Sequence, residues 1–401
     1  MARPDDKATS IDADVPPFQN YNPGGTSIPI PYDPLPDTIG APTGKLFGIE
    51  TQSDKAFATL DGSTYFLVGD GTITGDLMDA CSDPYNYGRK EIITADGLWQ
   101  VDDPYGAPTV ASLVATEDVI TGTAGVYPVQ IQMCINRKGF MACPFGFTSV
   151  AVSLNRGASW TRATFTGGAV DTSNKGTFDI SNPPPGIAIS QHNNPSVSNQ
   201  GWIWGCYWNG TNGRIYLSKD WGATWTHVID LLGVFGFLHI PYTRDDGTPN
   251  INDANQYVLF YTGSGRLFKI KASGAWSELS NAAGYRNVGY YGLTSYTLDG
   301  DKLAAASAGP GASPSSPFFS TSENGGGAWT THSTVIGPAR AGINGWPSDP
   351  NILLAWSGAT LILSSNRGSS FANANGNLGT LIASRNFIWA TLDLVDVIPP
   401  S

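Results

Sequence analysis

An all-β fold is what the sequence predicts, and three observations predict it. From Lys45 onward the chain is a succession of short apolar runs, among them KLFGIE, STYFLVG, SVAVSL, GWIWGCYW, GRIYLS, YVLFYTG and TLILSS, separated by Gly, Asn and Asp, and no long stretch carries a helical period. The 48 glycines and 28 prolines imply dense turns, while 41% hydrophobic residues with 12 Trp and only 14% charged residues supply a large core. The third observation is a spelling that returns between the runs, Ser-x-Asp/Asn-x-Gly-x-small-aromatic.

Residues 1–45 come first and stand apart. The segment PPFQNYNPGGTSIPIPYDPLPDTIGAPTG has no sustained period, and Pro16, Pro17, Pro23, Pro29, Pro31, Pro34 and Pro36 each remove a backbone donor from any ladder. Yet it holds Phe18, Tyr21, Ile28, Ile30, Tyr32, Leu35 and Ile39, more apolar side chains than a solvating linker needs. The expectation is an extended arm, distinct from a domain over residues 46–401, that docks on a partner protein or a second copy; proline lowers the entropy lost on ordering. The leading MARPDDKATSIDADVPP places acids where a signal peptide needs an apolar core, and no run of about 18 apolar residues occurs. Synthesis in the cytoplasm, with no membrane insertion, is therefore expected.

The repeated boxes organise the rest. Ser153, Asn155, Gly157 and Trp160 spell the first; Ser218, Asp220, Gly222 and Trp225 the second; Ser322, Asn324, Gly326 and Trp329 the third; Ser364, Asn366, Gly368 and Phe371 the fourth. Two shorter copies, Thr94–Trp99 and Lys271–Trp276, fill the gaps. The anchoring aromatics 99, 160, 225, 276, 329 and 371 are 61, 65, 51, 53 and 42 residues apart, a period that suits one four-stranded blade of a β-propeller. Residues 46–68 and 380–398 are left over, and pairing them in one sheet closes the ring without exposed edges at seven blades, with six as the alternative.

The physics of the box points to a turn. An Asp or Asn side chain bonds backbone N–H groups further along, the Ser hydroxyl does likewise, and Gly supplies a positive φ. The aromatic then folds back as an apolar plug between adjacent sheets. Asp220 is read as a brace rather than a catalyst.

These four boxes resemble the Asp-box, or bacterial neuraminidase, repeats of sialidases, xyloglucan-cleaving glycosidases, sortilin-type receptors and photosystem assembly propellers. The resemblance implies a propeller over residues 46–398 with boxes on the rim away from the ligand face, so it speaks to fold rather than activity. For a sialidase it would also imply three arginines gripping a carboxylate, an early Arg-Ile-Pro, a Tyr/Glu pair and an Asp acid. No Arg-Ile-Pro occurs, and only Arg3, Arg89 and Arg137 precede the first clear box. Arg214 and Arg266, each after Gly at a strand start, read as blade edges.

Another glycoside hydrolase would need two carboxylates roughly 5–9.5 Å apart across a sugar cleft. Asp70, Asp76, Asp79, Asp83, Asp245 and Asp246 are the candidates, with Trp202, Trp204 and Trp208 to stack on sugar rings. The alternative is that the acids brace turns and the tryptophans fill space between sheets. The Asp245–Asp253 loop is oxygen-rich enough for calcium but lacks the spacing and terminal Glu of an EF-hand loop. His192, His227, His239 and His332 show no zinc spacing, so no catalytic residue, metal ligand or cofactor is assigned. The four cysteines, Cys81, Cys134, Cys143 and Cys206, are too few and scattered for a disulfide framework; Cys134 and Cys143 flank INRKGFMA, which as a hairpin would set them across from each other, the alternative being buried free thiols.

A net charge of −11 without any Lys/Arg cluster argues against nucleic acid. The function expected is a non-catalytic assembly or recognition propeller, with the composition of a virion component such as a phage tail, fibre or capsid-associated protein. The alternatives are a carbohydrate-active glycoside hydrolase and a propeller that binds surface glycans without cleaving them.

Overall fold

The computed structural model describes residues 46–50, 55–59, 64–69, 71–83, 86–102, 110–134, 137–146, 148–164, 186–192, 194, 196, 201–208, 211–232, 236–241, 244, 246, 248–262, 266–279, 290–295, 302–307, 318–332, 341–345, 351–357, 360–374, 376 and 387–391. Residues 1–45, on which the expectation of an arm falls, lie outside the described residues.

The chain is a β-propeller of four-stranded blades. Strands β1–β3 are Leu46–Glu50, Lys55–Thr59 and Tyr65–Val68; β4–β7 are Leu77–Asp83, Asn86–Thr94, Gly97–Asp102 and Ala111–Thr116. A five-residue helix α1, Glu117–Thr121, precedes β8–β11, at Gln132–Met133, Met141–Phe145, Ser149–Ser153 and Thr161–Thr164. Strands β12–β15 are Gly186–Ile189, Ile203–Trp208, Asn212–Ser218 and Thr226–Leu232; β16–β19 are Gly236–His239, Tyr257–Thr262, Leu267–Lys271 and Trp276–Glu278. Then come β20–β23, at Tyr290–Ser295, Leu303–Ser307, Phe318–Ser322 and Thr330–His332, and β24–β27, at Ala341–Gly345, Leu353–Ser357, Thr360–Ser364 and Ala372–Asn373. Strand β28 is Phe387–Thr391.

Six sheets each take four consecutive strands, β4–β7, β8–β11, β12–β15, β16–β19, β20–β23 and β24–β27, and every adjacent pair is antiparallel. The seventh has the order β28-β1-β2-β3, so the end of the described chain supplies one strand and the beginning three. We number that closing sheet blade 1 and the others blades 2 to 7 in chain order. In the closing pair Leu46 faces Thr391 and Glu50 faces Phe387. The Tyr65 hydroxyl, on the last strand of blade 1, donates to the Ala374 carbonyl just beyond β27 at 2.5 Å, tying blade 7 to blade 1 a second time. Closing with strands from both ends removes the edges an open sheet would present.

The alternation of side chains explains why the strands read as nearly continuous apolar runs. A blade has a neighbour on both faces, so both sets of alternate residues are buried. In β14, Ile215 and Leu217 pack towards blade 5, whereas Tyr216 packs towards blade 3. The core is thus a series of seams. Six apolar clusters straddle successive blades, from Ala56 with Leu77 between the first two to Phe319 with Leu353 between the sixth and seventh. The outermost strands face solvent: all three residues of β19 are exposed.

One expectation needs correction. Thr94–Trp99 is not a shortened box, because it joins the second and third strands of its blade, whereas the four boxes join the third and fourth. Its glycine serves a different need: a Cβ on Gly97 would lie 2.1 Å from the Ala115 carbonyl oxygen on the next strand. Of the two readings of Cys134 and Cys143, the unbonded one holds: no disulfide joins them, and they point into different seams, Cys134 towards blade 4 and Cys143 towards blade 2.

Candidate functional site

The boxes are closed hydrogen-bonded units. In each, the buried serine hydroxyl accepts the glycine N–H, at 2.8 Å in three boxes and 2.9 Å in the third, and donates to the Asx Oδ1 at 2.8–3.1 Å. That Oδ1 also accepts the N–H four residues on, from Ser159, Thr224, Ala328 or Ser370. The tryptophan N–H of the first three boxes returns to the glycine carbonyl, at 3.0–3.2 Å. The aromatics are half-buried and pack on the preceding blade. Asp220 therefore has a full set of turn partners, Thr224 Oγ1 at 2.5 Å among them.

One feature of the box escaped the sequence pattern. The residue before each glycine is also left-handed: Arg156 at φ 55°, Trp221 at 59°, Gly325 at 65° and Arg367 at 58°. In three boxes its N–H donates to the hairpin between the first two strands of the same blade, at Gly139, Gly201 and Asn351. Its side chain then reaches outwards. Arg156 pairs with Asp83 of blade 2 at 3.0 Å, and Trp221 lies against Phe140 under the Arg137 guanidinium. Gly201 is required at that contact, because a Cβ would meet the indole at 1.9 Å.

Among the described residues, the candidate acids lie in separate places. Asp70 and Asp245 lie outside the described residues, and Asp76 and Asp246 are exposed, Asp246 accepting from its own loop at Thr248. Asp79, on β4, accepts the Ile131 N–H at 2.8 Å, and burial pushes its carboxyl up to about 7 against the pull of that bond. Asp83 is buried in the ion pair with Arg156. Glu91 on β5, not among the candidates of the sequence, is buried beside them with neither carboxylate oxygen hydrogen-bonded among the described residues, and burial pushes it up to about 8. These three acids line the seam between blades 2 and 3.

The other candidates are structural by position. Trp202 and Trp204 are core residues between blades 4 and 5, and Trp208 is half-buried. In the Asp245–Asp253 loop, Asp253 pairs with Arg244, and Asn250, Asn252 and Gln256 form a buried network that reaches Ser190 and the Trp204 N–H. No group of three or more metal-ligating side chains occurs among the described residues. Burial lowers His192 and takes His239 down to about 4, so both stay neutral near pH 7. His227 pairs with Asp230 at 2.8 Å, and Asp230 also meets Arg214 across β14 and β15. Arg266 likewise pairs with Glu278 across β18 and β19, at 2.9 Å through both oxygens. Arg214, on β14, and Arg266, just before β18, thus belong to the third strand of their blades, each paired with an acid on the outermost strand.

The one large aromatic among the described residues that is more exposed than buried is Trp276, at 51%, on β19. In the complete boxes the aromatic follows glycine by three residues; here it follows Gly274 by two and falls within the strand. Its indole consequently flanks Phe268 edge-on at 5.8 Å, on the face that carries Arg266 and Glu278. An exposed indole with a polar rim is the described feature best suited to contact a ligand.

No protein-family model matches the chain, and no curated protein does. Solved structures do. The GH74 enzyme of Niastella koreensis is similar over 88% of this chain and 55% of its own, with TM-score 0.50 and 15% identity. The GH74 xyloglucanase of Xanthomonas campestris is similar over 75% of this chain and 45% of its own, with TM-score 0.55 and 15% identity. The chain spans about half the length of these two proteins. At that identity the likeness shows the propeller fold and nothing finer.

Proposed function

We propose that this is a recognition or assembly propeller of the Asp-box type, whose binding depends on its surface and on residues 1–45 rather than on a catalytic pair. The observation that carries the reading is the fate of the polar residues the sequence singles out. Box serines and Asx side chains are consumed by turns, and Asp79, Asp83 and Glu91 sit in a seam between blades. A glycosidase pair must flank a cleft that admits a sugar. The arm, with its aromatics and prolines, is the attachment segment, and the propeller is displayed on a larger particle, a virion-type assembly being the setting its composition suits. Mass and hydrodynamic size of the full chain and of a form lacking residues 2–40 test this. The full chain should assemble or join particles, and the shortened one should remain a folded monomer. Normal assembly of the shortened form would overturn the attachment role.

A second reading, glycan binding without cleavage, is favoured by Trp276 alone. Exposed indoles stack on sugar rings, and the Arg266–Glu278 pair beside it offers polar contacts. A glycan array with the wild type and Trp276→Ala separates the readings, since retention of any glycan signal by the variant would remove Trp276 from it.

A further inference from the structure

The seam between blades 2 and 3 holds an excess of acid that the fold does not balance. Strands β4 and β5 place Asp79, Cys81, Asp83 and Glu91 on the face turned to blade 3, with Cys81 directly opposite Glu91. Among the described residues of blade 3, the cation that acts on these acids is Arg156, which is committed to Asp83. Blade 3 otherwise brings apolar side chains and the Cys143 thiol. On the blade 2 side, Arg89 is held by Asp102 at the rim, and Gln100 lies opposite Glu91 on β6. Glu91 is 1% exposed, and neither of its oxygens finds a donor among the described residues. A charged carboxylate cannot rest there without a partner, whereas a neutral carboxyl can.

We propose that this seam is a proton-operated joint, closed while the Glu91 carboxyl carries its proton and opened between blades 2 and 3 when the proton leaves. Ionisation would set a second negative charge beside Asp83 in a dry interface, and separation of the blades lets water solvate it. The groups facing Glu91 all bear on that balance. Asp83 and Asp102 favour the protonated form, and Arg89 and Arg156 oppose them less strongly than burial acts, which puts the transition near pH 8. Neither cysteine competes for the role, because burial raises both thiols well above their usual range.

The cysteines report the opening. Cys143 lies in this seam and Cys206 in the seam between blades 4 and 5, so Cys206 corrects for thiol chemistry that rises with pH everywhere. Initial alkylation rates of the full chain, read site by site by mass spectrometry, should give a Cys143-to-Cys206 ratio that climbs about fivefold from pH 7 to pH 8 and levels off above pH 8, one proton being released per opening. In Glu91→Gln the ratio should stay level. A level ratio in the wild type, or an equal climb in the variant, overturns the proposal. If the variant does not fold, the infrared carbonyl band of a protonated carboxylic acid in the wild type decides. It must disappear over the same pH interval in which the ratio climbs, and disappearance well below pH 7 overturns the proposal.

Discussion

At the scale of single residues, the box serine outranks the acid that draws the eye. Ser218 is fully buried and its oxygen serves the Gly222 N–H at 2.8 Å, so Ser218→Ala strands a buried donor and should cost about 1–3 kcal/mol in chemical denaturation. Asp220 is partly solvated, and Asp220→Ala should cost about 0.5–2 kcal/mol, with no specific loss of ligand binding. The two tryptophans of the same box also exchange importance. The pattern makes Trp225 the plug, but it is only half-buried, whereas Trp221, a variable position in the pattern, is 8% exposed and wedged on Gly201. Trp221→Ala should therefore cost about 3–5 kcal/mol and exceed Trp225→Ala. The reverse order would show that the plug, not the wedge, secures the box. No sequence period could reveal this, because the left-handed φ before the glycine is met by Arg, Trp, Gly and Arg in the four copies.

At the scale of strands and seams, side chains replace the ladder that the innermost strands lack. Gln130 and Gln132 reach from blade 3 to the backbone of β12, each accepting an N–H and donating to the Ile187 carbonyl, and Asp79 accepts the Ile131 N–H in the same manner. These are long-range partners, chosen by ring geometry, which is why Asp79 could be read from the sequence only as a loose catalytic candidate. The box-to-blade tie between Arg156 and Asp83 is of the same kind. Arg156→Ala would remove the ion pair from a buried carboxylate and should cost about 1–3 kcal/mol, discounted because the arginine is partly exposed. The acids of this seam also set the pH dependence of stability. In the unfolded chain Asp79 and Glu91 ionise near their ordinary values of about 4, but in the folded chain they hold their protons to about 7 and about 8. Between those limits the unfolded state binds fewer protons, so stability falls as pH rises and levels off above about 8, by up to about 1.4 kcal/mol per pH unit for each group. Denaturation midpoints should be higher at pH 5 than at pH 8, and a midpoint that rises across this range would contradict the assignment.

At the scale of the whole molecule, legibility followed the range of the interactions. Blades were readable because each is a local hairpin stack whose boxes repeat, and the closing strand was inferred from leftover apolar runs at both ends. Contacts between blades were not, since Tyr65 and Ala374 stand 309 residues apart. Closure carries the last prediction. Blade 1 has three strands from the beginning of the described chain, and β28 is the fourth, on the inner side of β1 between its neighbours β4 and β24. A chain ending at residue 385 would bare the edge of β1 towards the axis and leave β4 without one side of its packing, whereas loss of an outermost strand such as β19 would expose a rim that is already wet. The truncated chain should therefore aggregate or melt at markedly lower temperature. A synthetic peptide of residues 385–398 added in trans should restore the melting point in proportion to its occupancy, as expected for a ligand that binds only the folded state. Full stability without the strand, or restoration by a peptide of scrambled order, would show that the ring is held closed by something other than the pairing of β28 with β1.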